Sequence, residues 1–238
     1  MSETTPTIVL VHGAFAESAS WSPVIDQLQA RGLDVVAVAN PLRSLAGDAA
    51  YVRDVIAGIG TPVVLVAHSY GGMVITEAAA GNLSVVGLVY VAGFAPEHGE
   101  SAFELSTRFP GSSLADALDA YPVATGGVEF AIRPELFHHQ FAADVPEAQA
   151  AVMAATQRPV TQAALAEGLP SDTPAWRDLP SWFVFGDQDL NIPAELHRFM
   201  AERAGAKVTR ELAGASHALS LSEPEAVAAT ILEATAVP

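Results

Sequence analysis

The chain has 238 residues, half of them hydrophobic, which is enough to fill one substantial core, so one domain is the expectation. With 27 acidic against 11 basic residues the net charge is −16, which argues against a basic patch that would bind nucleic acid or insert into an anionic membrane surface. Cysteine is absent, which excludes thiol catalysis, disulfides and cysteine-ligated metals.

The first residues carry no basic segment, and the apolar run Ile8 to Val11 is too short for a signal or spanning helix, so a cytoplasmic location is expected. That run, from Thr7, is rich in β-branched residues and ends at Gly13; it predicts a strand buried on both faces. Ser22 and Pro23 open a helix in which Val24, Ile25 and Leu28 recur at helical spacing until Gly32. Strands are expected over residues 34–39, 62–68 and 85–91, with helices over 49–59 and 70–80 between them. Strands alternating with helices at this spacing imply right-handed βαβ crossovers and a mostly parallel sheet of about six strands.

The rhythm breaks over residues 97–178, which read as an insertion: a helical cap on a core formed by 1–96 and 179–238. Helices are expected there over 112–120, 146–155 and 161–169, joined by proline corners. The alternation resumes with a strand over 181–185, a helix over 194–204, a strand over 207–212 and a closing helix from Pro224.

The hexapeptide Ala67-His68-Ser69-Tyr70-Gly71-Gly72 directly follows a predicted strand and opens a helix. Small residues at Ala67 and Gly71 let strand and helix approach closely, holding Ser69 on a strained turn with its hydroxyl above the sheet. A serine hydroxyl is a poor nucleophile until a base takes its proton. Of seven histidines, His217 lies in the loop after the last strand, at the sheet edge that also carries Ser69. The imidazole needs a carboxylate to fix its tautomer, and Gly186-Asp187-Gln188-Asp189 after the strand at 181–185 offers two. Asp189 is preferred, with Asp187 the alternative. The order Ser69, Asp189, His217 is nucleophile, acid, base. Two backbone N–H groups should meet the charge that develops on the substrate oxygen, one from Tyr70 and one from Ala14 in the loop after the first strand.

With these residues in place the chain resembles the α/β-hydrolase fold superfamily over essentially its whole length, and within it small serine esterases similar to the plant methylesterase and hydroxynitrile lyase group. The stretches that carry the likeness are Leu10 to Ala14, Ala67 to Met73, Gly186 to Asp189, and Ser216-His217 with Ser222-Glu223-Pro224 behind it. Lyases of that likeness carry threonine after the first-strand histidine and lysine after the catalytic one, where this chain has Gly13 and Ala218. Dehalogenases of the superfamily need an aspartate where Ser69 stands. The resemblance therefore implies a cofactor-free serine carboxylesterase acting on small to medium, mostly apolar esters or lactones. A lyase or C–C hydrolase with the same triad, or a hormone-receptor-like binding module, is the alternative.

The cap gives no motif that aligns. Its aromatics are expected to line an apolar acyl or alcohol pocket, with Phe15, Phe94, Phe103, Phe137, Phe141 and Trp176 as candidates. An exposed apolar cap face could pair two copies into a homodimer. His138-His139 lack the spacing of a metal site, so no metal is expected, and His12 and His68 read as structural.

Overall fold

Six parallel strands form the centre of the molecule in the order β2-β1-β3-β4-β8-β9. The computed structural model describes residues 5–124 and 126–236. In chain order the first half comprises β1 (Thr7–Val11), α1 (Ser22–Gln29), β2 (Val35–Val38), α2 (Leu45–Ala57), β3 (Val63–His68), α3 (Gly71–Ala79) and β4 (Val85–Val91). Between β4 and the next sheet strand lie α4 (Ala102–Ser106), β5 (Leu118–Pro122), β6 (Val128–Ile132), α5 (Pro134–Phe141), α6 (Glu147–Thr156), β7 (Val160–Thr161) and α7 (Gln162–Ala166). The chain closes with β8 (Ser181–Gly186), α8 (Ala194–Arg203), β9 (Val208–Leu212), α9 (Leu219–Ser222) and α10 (Pro224–Thr235).

The apolar runs predicted as doubly buried strands are so because helices cover both faces. Side chains alternate across β1: Ile8 and Leu10 join Val24 and Leu28 of α1 and Ile231 of α10, while Val9 and Val11 join Val52 and Ile56 of α2 and Ile75 of α3. Helix α2 begins four residues before its expected start, because the Ser44 hydroxyl accepts the Gly47 N–H and caps it.

The cap departs from expectation. In place of the helix expected over 112–120, only a 3-10 turn forms at Leu114–Ala117; the chain then enters β5, which pairs with β6 in an antiparallel hairpin extended by β7. The hairpin is favoured by the β-branched and aromatic run of Val128–Ile132 and by Gly126 and Gly127, whose φ values of 95° and 88° suit a turn that other residues resist. The cap is thus mixed helix and sheet. Two further cap helices, α4 and α5, were not expected although both carry start signals: Ser101 and Glu104 make a reciprocal capping box on α4, and Pro134 opens α5. The buried cluster above α3 continues without a break into Phe137 and Phe141 of the cap.

Candidate active site

Ser69 stands between β3 and α3 with φ of 55°, a left-handed conformation that costs a non-glycine residue about 1–3 kcal/mol. Its surroundings enforce that turn. The Ser69 carbonyl accepts the N–H groups of Gly72 at 2.9 Å and Phe94 at 3.1 Å. A methyl group on Gly71 would come within 2.6 Å of the Val11 carbonyl oxygen, and one on Gly72 would strike the Phe94 carbonyl. Glycine at both positions lets α3 start directly behind the serine.

Asp189 and His217, far apart in sequence, meet beside this turn. His217 Nδ1 lies 2.6 Å from Asp189 Oδ2, and both side chains are buried. The other carboxylate oxygen, Oδ1, accepts the backbone N–H groups of Asn191 at 2.8 Å and Ile192 at 2.9 Å. Burial by itself would raise the Asp189 carboxyl; the charge of His217 and the hydrogen bonds of His197 and His217 outweigh it and hold the group well below the usual carboxylate range. Asp189 is therefore an anion, and it accepts the hydrogen bond from His217 Nδ1. His217 Nε2 is buried and among the described residues has no hydrogen-bond partner, Ser69 included. Asp187 faces elsewhere: its carboxylate accepts the Gly214 N–H at 2.7 Å.

The loop after β1 presses on the serine. A methyl group on Gly13 would lie 2.5 Å from Ser69 Cβ and 3.2 Å from its Oγ. Phe15 comes two residues later with φ of 60° and donates its N–H to the Arg158 carbonyl at 3.1 Å. Ala14 and Tyr70 are buried, and among the described residues their backbone N–H groups donate to no protein acceptor. Unpaired N–H groups in buried residues are rare, and both of these residues line the cavity that Ser69 lines.

Three further side chains belong to the site, none of them legible from local motifs. His197 of α8 brings Nε2 to 3.5 Å from the Asp189 oxygen that also faces His217, and its ring stacks on Phe185. Asp48 of α2 accepts the Tyr70 hydroxyl at 2.9 Å; burial pushes the Asp48 carboxyl up and the Tyr70 hydroxyl well above its ordinary range. Gln140 of α5 donates to the Leu190 carbonyl and to Asn191 Oδ1, both at 2.9 Å. Each depends on a long-range approach that no sequence spacing announces.

His68 and His12 are braces, as expected. His68 donates from Nε2 to the His217 carbonyl at 2.9 Å; burial first and the His217 charge second depress it to about 3. His12 donates from Nδ1 to the Gly13 carbonyl at 2.9 Å, and burial lowers it to about 4. His138 is engaged with the Val145 carbonyl, and among the described residues no group of three or more potential ligands could hold a metal ion.

A cavity of about 270 Å³ opens on Ser69, Ala14 and Tyr70. Of the six aromatics expected to line it, Phe15, Phe94 and Phe103 do so. Phe137, Phe141 and Trp176 do not. Phe141 packs edge-on against the His217 ring with centroids 4.9 Å apart, Phe137 stacks on Phe141, and Trp176 donates its indole N–H to the Pro96 carbonyl. These three are core residues: Phe137 and Phe141 lie on the buried face of α5, and Trp176 is buried in the 3-10 turn Ala175–Arg177. Their places on the cavity wall are taken by Phe109, Leu114, Leu118, Leu165 and Ile192.

A profile of the Alpha/beta hydrolase family matches residues 8–230. The chain is 27% identical over 256 residues to the "Alpha/beta hydrolase nvfD" of Aspergillus novofumigatus, covering 96% of each protein. It is 33% identical over 138 residues to a carbendazim hydrolyzing esterase of Nocardioides, covering 48% of this chain and 56% of that protein. Among solved structures, polyneuridine aldehyde esterase superposes with a TM-score of 0.82 at 21% identity, covering 97% of this chain and 99% of the other. The Arabidopsis methylesterase MES16 superposes with a TM-score of 0.80 at 18% identity, covering 96% and 98%. Since the profile runs from β1 into α10 and thus takes in the whole sheet and the loops that carry Ser69, Asp189 and His217, the chain belongs to the alpha/beta hydrolase family.

Proposed function

We propose that the protein is a serine carboxylesterase that hydrolyses small to medium, mostly apolar esters or lactones through an acyl-enzyme. The observation that carries this reading is Ser69 held at φ of 55° on the wall of an apolar cavity that is also lined by Ala14 and Tyr70, whose backbone N–H groups have no protein acceptor among the described residues. Ser69 Oγ attacks the ester carbonyl while His217 Nε2 takes its proton. Asp189 keeps the Nδ1 proton in place and stabilises the imidazolium as it forms. The N–H groups of Ala14 and Tyr70 receive the oxyanion; fixed dipoles of this kind are worth about 3 kcal/mol each in related chemistry. His217 then protonates the departing alcohol, and a water molecule activated by the same nitrogen releases the acid.

The relatives described above, esterases and hydrolases, support ester cleavage. The lining by Phe103, Phe109, Leu114, Leu118 and Leu165 suits an apolar acyl group. Hydrolysis of p-nitrophenyl esters by the wild-type protein, with loss of about 10⁴-fold or more in folded Ser69→Ala, is the test. Near-normal turnover in that variant would move the nucleophile elsewhere.

A further inference from the structure

The C-terminal end of α5 and the short loop behind it reach both partners of the acid–base pair. Gln140, buried, donates to the Leu190 carbonyl and to Asn191 Oδ1, and accepts the Ser113 hydroxyl at 2.9 Å. Leu190 and Asn191 follow the acid directly, and the Asn191 N–H is one of the two donors that hold Asp189 Oδ1. The next residue, Phe141, lays its ring edge-on to the His217 imidazole. Three residues further on, Asp144 accepts the Ser216 N–H at 2.9 Å through Oδ2 and the Ser216 hydroxyl through Oδ1. Ser216 precedes His217, and its Oγ also accepts the Ala218 N–H at 3.3 Å, so the residues on both sides of the base are tied to one carboxylate.

We propose that this stretch of the cap, through Asp144 and Gln140, positions His217 and Asp189, so that the cap sets the alignment of the acid–base pair as well as the shape of the cavity. The role rests on the esterase reading above. Asp144 and Gln140 are positioning residues: neither lines the cavity, and each acts through the loop it grips. The strands fix the roots of the two loops, but Asn191 and Ser216 lie beyond the last paired residues of β8 and β9, Gly186 and Leu212. Past the ladder the loops keep a backbone bond from the Gln188 N–H to the Ala215 carbonyl at 3.1 Å, while the N–H groups of Asn191 and Ser216 themselves are held by the carboxylates of Asp189 and Asp144. Asp144 is exposed on its outer side, so its contribution is the geometry of a two-point grip more than the strength of a buried charge.

The test compares Asp144→Ala, Asp144→Asn, Ser216→Ala and the Asp144→Ala/Ser216→Ala pair, using p-nitrophenyl acetate turnover, thermal unfolding and the ring-nitrogen NMR signals of His217 in ¹⁵N-histidine protein. Displacement of a catalytic group by about 1 Å costs on the order of 10²-fold, so Asp144→Ala should lower kcat by roughly tenfold or more with KM nearly unchanged. Asp144→Asn keeps an oxygen for the Ser216 N–H and should stay within about twofold of wild type. The double variant should lose little more than Asp144→Ala alone, because Ser216→Ala removes only the hydroxyl arm of a grip that Asp144→Ala removes whole. The His217 ring signals should shift in the alanine variants and not in Asp144→Asn. If Asp144→Ala does not fold, Ser216→Ala breaks the hydroxyl arm from the other side, together with the Ser216 hydroxyl's hold on the Ala218 N–H, and should still lower kcat and shift the ring signals, by less than loss of both arms would. Unchanged kcat and unchanged ring signals in the alanine variants, or additive losses that track the melting temperature, would overturn the proposal. A wild-type protein without turnover would remove the esterase reading instead, and the NMR comparison would still decide whether the cap holds His217.

Discussion

Replacing Asp189 by asparagine changes one atom, and the hydrogen bonds around the carboxylate decide how the new side chain sits. Asp189 Oδ1 accepts two backbone N–H groups, from Asn191 and Ile192. If the new amide turned its NH₂ toward them, two buried donors would lose their acceptor at about 1–3 kcal/mol each, or roughly 2–6 kcal/mol together. The amide oxygen therefore keeps the Oδ1 position, and the NH₂ group takes the place of Oδ2, 2.6 Å from His217 Nδ1. Facing a donor, Nδ1 becomes the acceptor and the imidazole proton moves to Nε2, the nitrogen that receives the Ser69 proton in the proposed mechanism. His197 can adapt, because its Nδ1 has no partner among the described residues and can carry the proton while Nε2 accepts. The expected result is a folded protein whose kcat is about 10⁴-fold lower, the scale of the same substitution in serine proteases of unrelated fold. That corresponds to about 5 kcal/mol of transition-state stabilisation. Asp187→Asn is the control: it keeps an oxygen for the Gly214 N–H and should change kcat by no more than about twofold. Steady-state hydrolysis of p-nitrophenyl acetate, with melting curves for both variants, makes the comparison. The reverse ranking would refute the assignment of the acid.

Gly13→Ala would place a methyl group 2.5 Å from Ser69 Cβ and 2.7 Å from the His68 carbonyl oxygen, so turnover should fall by at least about 10²-fold; activity close to wild type would mean that the first loop does not abut the reacting centre. Phe103→Ala should shift acyl-length preference by tenfold or more with little loss of stability, whereas Phe137→Ala should cost about 3–5 kcal/mol of stability and leave the preference alone, as read by an ester panel and urea unfolding. His12 and His68 are neutral in the folded protein, depressed to about 4 and about 3 from 6.5, so below pH 6.5 the unfolded chain binds up to two more protons than the folded one. Stability should therefore drop as the pH falls, by about 2 kcal/mol for these two groups between pH 6 and pH 5, and a flat profile in urea titrations would contradict their buried, neutral state. The raised Asp48 carboxyl acts in the opposite sense as the pH nears the carboxylate range. A strong chelator should leave the rate unchanged; activity lost to chelation and restored by a divalent metal would sink the mechanism.

Much of the core was legible in the amino-acid sequence because its signals are local. A β-branched run such as Thr7 to Val11 has few ways to bury itself other than as an inner strand, and Pro23 and Pro224 sit where a helix tolerates proline. The turn at Ser69 was legible for the same reason: Gly71 and Gly72 come after a strand where any side chain would strike the Val11 or Phe94 backbone. The hairpin at β5 and β6 was lost because the alanine-rich stretch before Leu118 has helical propensity, while the strand pairing that overrode it comes from residues further along the chain. The same limit governed the cavity. Whether Phe103 faces substrate and Phe141 faces His217 depends on which side of a cap helix meets the sheet, and aromatic residues carry equal apolar area in either place. The sequence by itself determined the sheet, the strained turn at Ser69 and the order in which Ser69, Asp189 and His217 follow their strands, each a property of neighbours along the chain. Only the tertiary structure decided that Asp189 and not Asp187 faces His217, and that His197, Gln140 and Asp144 support the pair, because those contacts join residues separated by 8 to 72 positions.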